Sequence, residues 1–138
     1  MKHWGTKTNL NIVILSDTHG YLPKSAKKII EEADIVIHAG DIGSPEIYYY
    51  LLSKNAYMVY GNIDGPELRA VIPEMRIIKL PMYRALLVHD AGPFDKYRFN
   101  VAKELQEKRV DILICGHTHI AKIARSPTWG HLYINPGA

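Results

Sequence analysis

One cysteine, Cys115, stands in the 138 residues, so an internal disulfide is impossible and a reducing compartment suits the chain. No window approaches the roughly 18 consecutive apolar residues of a membrane helix. Residues 1–9 are polar and hold no apolar stretch that could act as a signal peptide. A cytoplasmic location is therefore expected. Basic residues are few: 17 Lys+Arg against 14 Asp+Glu, a net +3 spread along the chain, which gives no stripe for gripping nucleic acid. Lys24, Lys27 and Lys28 share one predicted helix and read as a solvated face. Internal repeats and low-complexity segments are absent as well.

What is present suffices for one packed domain spanning residues 1–138, since 47% of residues are hydrophobic. Residues 10–16 form a short apolar run, read as a buried strand, that breaks at Asp17-Thr18-His19-Gly20. Pro23 suits the first turn of a helix whose inner face is Ala26, Ile29, Ile30 and Ala33. A strand over 35–39 ends at Gly40-Asp41. Ser44-Pro45 caps and opens a helix to about Ser53. A strand over 56–60 then ends at Gly61-Asn62. Strands over 75–80 and 83–89 read as an antiparallel pair turning at Pro81-Met82. Asp95 can cap a helix to about Lys108, with Val101, Ala102 and Leu105 inward. A strand over 110–115 ends at Gly116-His117-Thr118-His119, and short strands follow over 120–125 and 131–134. The opening β-α-β-α-β order implies parallel strands with right-handed crossovers, in an α/β domain with added antiparallel strands.

The chemistry-bearing side chains fall on this map in one place. Asp17, His19, Asp41, Asn62, His89, His117 and His119 come from five separate strand ends, most of them beside a glycine. Sites in open α/β sheets form outside the carboxyl ends of strands. Four imidazoles, two carboxylates and one amide oxygen make a mixed nitrogen and oxygen donor set, suited to Mn, Fe or Zn. With no thiolate among them, a structural zinc site is disfavoured. Seven donors exceed the needs of one cation, whereas two cations sharing a carboxylate would use them all. Such a centre keeps a positive charge over Asp17 and Asp41, attracts a phosphate ester and stabilises an in-line displacement.

In order and spacing, Asp17-Thr18-His19, Gly40-Asp41, Gly61-Asn62 with Asp64, His89 and Gly116-His117-Thr118-His119 resemble the motif set of the calcineurin-like metallophosphoesterases. The chain is most similar to their small YfcE-like phosphodiesterase branch. The resemblance implies a four-layer αββα sandwich of two mixed sheets flanked by helices. It implies hydrolysis of phosphate esters, with phosphodiesters favoured over monoesters, by in-line attack of a metal-bridging hydroxide. It assigns Asp17, His19, Asp41 and His119 to one divalent ion and Asp41, Asn62, His89 and His117 to the other, with Asp41 bridging. Mn(II) is the implied metal, with Fe, Zn or Ni as substitutes. Asp41, Asn62 and His89 would act in catalysis through metal and phosphate positioning, with Asp64 supporting the ligands. The expected partner is a phosphate-ester small molecule, of nucleotide-like kind among the options, with no membrane. An alternative of another class is a weakly catalytic binding module of the same fold, like the retromer scaffold subunit.

Three positions depart from the family pattern. Ile63 stands where many relatives carry a histidine after Gly-Asn. Asp90-Ala91 follows His89 in place of Gly-His. The chain stops at Asn135-Pro136-Gly137-Ala138, where relatives continue into another strand; a missing strand would leave an edge open to pairing in an oligomer. Elsewhere, His38 reads as packed or supporting, Cys115 as buried filler, and Tyr48, Tyr49 and Tyr50 as a half-buried helix face. His3 and His131 read as surface residues.

Overall fold

The computed structural model describes residues 10–138; His3 and residues 1–9 lie outside that range. The first half alternates strand and helix: β1 (Ile12–Leu15), α1 (Lys24–Glu32), β2 (Ile35–His38), α2 (Pro45–Ser53), β3 (Tyr57–Met58) and the short α3 (Pro66–Arg69). The second half holds β4 (Met75–Lys79), β5 (Arg84–Val88), α4 (Phe99–Glu107), β6 (Ile112–Ile114), β7 (Lys122–Arg125) and β8 (Leu132–Asn135). Strands β1-β2-β3 pair in parallel as one sheet. The other sheet runs β4-β5-β6-β8-β7 and is mixed, antiparallel at β4–β5 and β7–β8 and parallel between.

Alternation along the strands builds three apolar interfaces, because successive side chains point to opposite faces. Val36 and Met58 face Ile30, Ile47 and Leu51 of the first two helices. Their neighbours Ile35 and Ile37 point the other way, onto Ile78, Ala85, Leu87 and Ile114 of the second sheet. Leu86, Val88 and Leu113 then face Val101 and Leu105 of α4. Helices, sheet, sheet and helix stack in that order, which is the αββα sandwich. Each fully buried aliphatic side chain contributes about 1.5–3 kcal/mol to holding it together.

Local signals worked where one residue dictates one conformation. The Ser44 side chain accepts from the Ile47 N–H at 3.2 Å, and Pro45 opens α2. Other expectations fail for identifiable reasons. Asp95 does not cap α4, which begins at Phe99 with Arg98 before it. Asp95 instead has φ 65° and accepts hydrogen bonds from the hydroxyls of Ser126 and Thr128, so a tertiary contact outcompetes the local cap. Those hydroxyls also hold its carboxyl below the usual carboxylate range. Ile29 is 55% exposed, because α1 turns Ile30 rather than Ile29 into the core. His131 is buried, with Nε2 3.0 Å from the Tyr97 hydroxyl beneath the β7–β8 hairpin. The helix α3 has only four residues, too few for a periodic signal.

Candidate metal centre

The loops after β1, β2 and β3 bring Asp17, His19, Asp41 and Asn62 to one end of the first sheet. The segments after β5 and β6 bring His89, His117 and His119 to the same end of the second. Five of these seven residues have left-handed backbones: Asp17 (φ 55°), His19 (49°), Asp41 (60°), His117 (72°) and His119 (64°). Only two other described non-glycine residues do so, Asn55 and Asp95. Such conformations cost free energy at a non-glycine residue and persist where the surroundings over-determine them. Here they let a side chain turn back across the strand end toward its neighbours.

Backbone amides fasten the carboxylates, each by one oxygen. Asp17 Oδ2 accepts from the His117 N–H at 3.0 Å, which ties the two sheets together. Asp41 Oδ1 accepts from the Ile63 N–H at 3.0 Å. The other oxygen of each faces the centre. Asp17 Oδ1 lies 3.2 Å from His119 Nε2 and 3.8 Å from Nε2 of both His19 and His89. Asp41 Oδ2 lies 3.5 Å from His19 Nε2 and 3.2 Å from His89 Nε2. On the far side, Asn62 Oδ1 lies 3.0 Å from His89 Nε2 and 3.3 Å from His117 Nδ1. The imidazoles form two edge-to-face pairs, His19 with His119 and His89 with His117, each with ring centroids 5.2 Å apart.

Two observations test whether this set fits a cation. Among the described residues, Asp17 Oδ1 is a buried carboxylate oxygen without a hydrogen-bond donor. Leaving such an atom unsatisfied is expensive. The second concerns His89, whose Nδ1 lies 2.8 Å from the Ala39 carbonyl oxygen and so must carry the proton. In the neutral ring Nε2 then presents a lone pair to Asp41 Oδ2, Asn62 Oδ1 and Asp17 Oδ1, all acceptors. A positive ion among these atoms relieves the repulsion. The donor set fits a metal, and two groups have ligand atoms close enough to share one: Asp17, His19, His119 and Asp17, Asp41, His89.

Supporting residues surround this core. The buried Asp64 carboxylate collects the N–H groups of Gly61 (2.9 Å), Gly43 (3.0 Å) and Ile42 (3.2 Å), locking the Asn62 loop to the Asp41 loop. His38, fully buried, accepts the Gly40 N–H on Nδ1 at 3.1 Å. Its Nε2–H therefore points to Thr18 Oγ1 at 3.0 Å, and the Thr18 hydroxyl donates to the Ile42 carbonyl. Burial pushes the His38 pKa down to about 4, so the ring stays neutral and holds this relay in one sense. Burial likewise pushes the Cys115 thiol up to about 11, which makes it inert packing. Tyr48 and Tyr50 pack at the edge of the first core while Tyr49 is exposed.

Glycines stand next to the ligands because the backbones approach too closely for a side chain. A Cβ on Gly61 would lie 2.1 Å from Asp41 Oδ1, and one on Gly40, at φ +100°, would lie 2.8 Å from His89 Cβ. Two residues near the centre are given no role by the sequence reading. Asp90 sits with Oδ2 3.9 Å from His117 Nε2 and 3.6 Å from Arg98 Nη1. Arg69 binds the carbonyls of the Asn62 loop. In the sequence Asp90 is only a departure from the pattern after His89, and Arg69 belongs to no motif; their place in space is what marks them.

The calcineurin-like phosphoesterase superfamily domain matches residues 10–138. A probable metallophosphoesterase of Methanocaldococcus jannaschii is 36% identical over 135 residues, covering 92% of this chain and 67% of that protein. Among solved structures, a novel archaeal phosphodiesterase superposes with a TM-score of 0.69 at 25% identity, covering 93% of this chain and 84% of that one. Vacuolar protein sorting 29 from Cryptosporidium parvum superposes with a TM-score of 0.73 at 22% identity, covering 94% and 76%, a likeness of fold. The chain spans about two thirds to three quarters of the length of the curated relatives it matches. No helix among the described residues is long and apolar enough to cross a membrane. With the family match covering every described residue, this chain belongs to the calcineurin-like phosphoesterase superfamily.

Proposed function

We propose that the chain hydrolyses phosphate esters, diesters in preference to monoesters, at a centre that holds two divalent cations. The buried, donorless Oδ1 of Asp17 within reach of three imidazoles carries this reading. Asp17, His19, Asp41 and His119 hold one ion and Asp41, Asn62, His89 and His117 the other. The pairing of the four rings into His19–His119 and His89–His117 supports that division. Asp17 Oδ1 and Asp41 Oδ2 each face rings of both pairs, but Asp41 Oδ2 lies nearer His89, at 3.2 Å against 3.8 Å, which favours Asp41 as the bridge. Mn(II) is the metal we assign, with Fe, Zn or Ni able to replace it, and the substrate is a soluble, nucleotide-like ester in the cytoplasm.

When bound, two such cations polarise phosphoryl oxygens and acidify water enough to supply a nucleophile near neutral pH. The chain's own residues do the rest. Asp64 and the His38–Thr18 relay keep the ligand loops in register. Asn62, His117, His19 and His119 are all exposed, so the centre is open to solvent where an ester can enter. Ile63, 46% exposed beside Asn62, offers no proton to a departing alkoxide.

A second reading, a binding scaffold of the same fold, draws on the exposed Ile63 and the likeness to vacuolar protein sorting 29. Release of p-nitrophenol from its mono- and diesters with Mn(II), before and after chelation, separates the two. Turnover that disappears with the chelator and returns with Mn(II) supports the enzyme. Two bound ions without turnover on any ester would leave the scaffold.

A further inference from the structure

The three oxygen ligands are anchored unequally. Asp17 and Asp41 are buried, and each has a carboxylate oxygen fixed by a backbone N–H. Asn62 is exposed, and among the described residues its side-chain oxygen meets only the rings of His89 and His117. Its aim must come from the backbone of the Gly61–Asp64 turn. Asp64 holds that turn from within, through the Gly61 N–H. The carbonyls on its outer side are collected by one guanidinium. Arg69 Nε donates to the Asp64 carbonyl at 2.6 Å, and Nη2 donates to those of Gly61 at 3.3 Å and Asn62 at 3.2 Å. The guanidinium carbon Cζ also lies over the Tyr60 ring, 4.7 Å from its centroid.

We propose that Arg69 is the positioning residue for Asn62, and through it for the second ion of the centre. The assignment rests on the two-ion reading above. A guanidinium offers rigid, planar, divergent donors, so one side chain can span three carbonyls at fixed angles. An ammonium is a point charge and cannot reproduce that fork. The cation–π contact with Tyr60 further restricts the Arg69 head group. Arg69 also borders the cavity of about 190 Å³ that Asn62 and His89 line, so the clamp shapes the wall beside the second ion. Arg69 touches no ion. Its effect must pass through the turn it holds.

The test is calorimetric titration of chelator-stripped protein with Mn(II), on wild type, Arg69→Gln, Arg69→Lys and Asn62→Ala. Wild type takes up two ions. Arg69→Gln should weaken the second by at least about tenfold, the lower range for loss of a supporting partner, and leave the first unchanged. Arg69→Lys should recover less than half of that loss, and Asn62→Ala should show the same pattern more strongly. Should Arg69→Gln fail to fold, Arg69→Lys decides alone, and selective weakening of the second ion supports the clamp. Unchanged affinities, equal weakening of both ions, or full rescue by lysine would overturn it. If wild type takes up only one ion, the two-ion reading falls and the clamp with it. If wild type takes up two and Arg69→Gln does so with unaltered affinity, only the clamp falls.

Discussion

His89 Nε2 lies 3.2 Å from Asp41 Oδ2, a lone pair set against a carboxylate oxygen because the Ala39 carbonyl has already claimed the proton on the other ring nitrogen. The two residues belong to different sheets, and with the ring neutral a cation between them would turn a lone-pair repulsion into shared coordination. Asp41 also reaches His19, in the other ring pair, at 3.5 Å.

Asp41→Asn should therefore lower ion occupancy on both sides of the centre and abolish turnover. The amide keeps the shape of the carboxylate and removes its charge, so packing against Gly61 is preserved. Elemental analysis of the purified variant checks this. One tightly held ion per chain in wild type, unaffected by the substitution, contradicts the shared role.

Ile63 sets an expectation about leaving groups. General-acid help is worth roughly 10²–10⁴-fold in rate, and an isoleucine gives none. Esters of good leaving groups such as aryl oxides should far outpace alkyl esters. Ile63→His, at an exposed position, should raise kcat/KM for alkyl monoesters more than for p-nitrophenyl esters. A leaving-group series measured in both proteins decides. A shallow dependence in wild type, unmoved by the substitution, means that another group already supplies the proton.

The third expectation concerns acid. His38 is neutral in the folded protein down to about pH 4, whereas an unfolded histidine gains its proton near 6.5. Below 6.5 the unfolded chain binds the extra proton, so stability is full above that pH and is lost as pH falls toward 4. Each pH unit is worth about 1.4 kcal/mol, so the full loss is on the order of 3 kcal/mol. Urea unfolding of metal-free protein between pH 7 and 4 should show this slope. In His38→Gln, which cannot titrate, that part of the slope should vanish; an identical slope in both proteins would assign the acid sensitivity elsewhere.

Most of the architecture was legible because strand ends announce themselves. Apolar runs stopped by Asp17, by Gly40-Asp41, by Gly61-Asn62, by His89 and by Gly116-His117 mark where a polar side chain can emerge, and these five stops point to the candidate centre. Asp64 was readable from the same motif. The illegible parts are those set by distant partners. Asp95 looked like a cap until the hydroxyls of Ser126 and Thr128 arrived from the β7–β8 hairpin. His131 looked like surface because nothing local says that Tyr97 covers it. Arg69 carried no signal, since its acceptors are backbone carbonyls, which every residue has.

Where each donor comes from has a mechanical consequence. All the candidate oxygen ligands, Asp17, Asp41 and Asn62, ride on the β1-β2-β3 sheet, whereas three of the four candidate imidazoles ride on the other. The centre is thus a gauge of sheet alignment: a slip at the Ile37–Leu87–Ile114 seam would part nitrogen from oxygen donors while leaving every loop intact. Truncations deep in that seam should behave as active-site lesions, although none of those side chains comes near a phosphate.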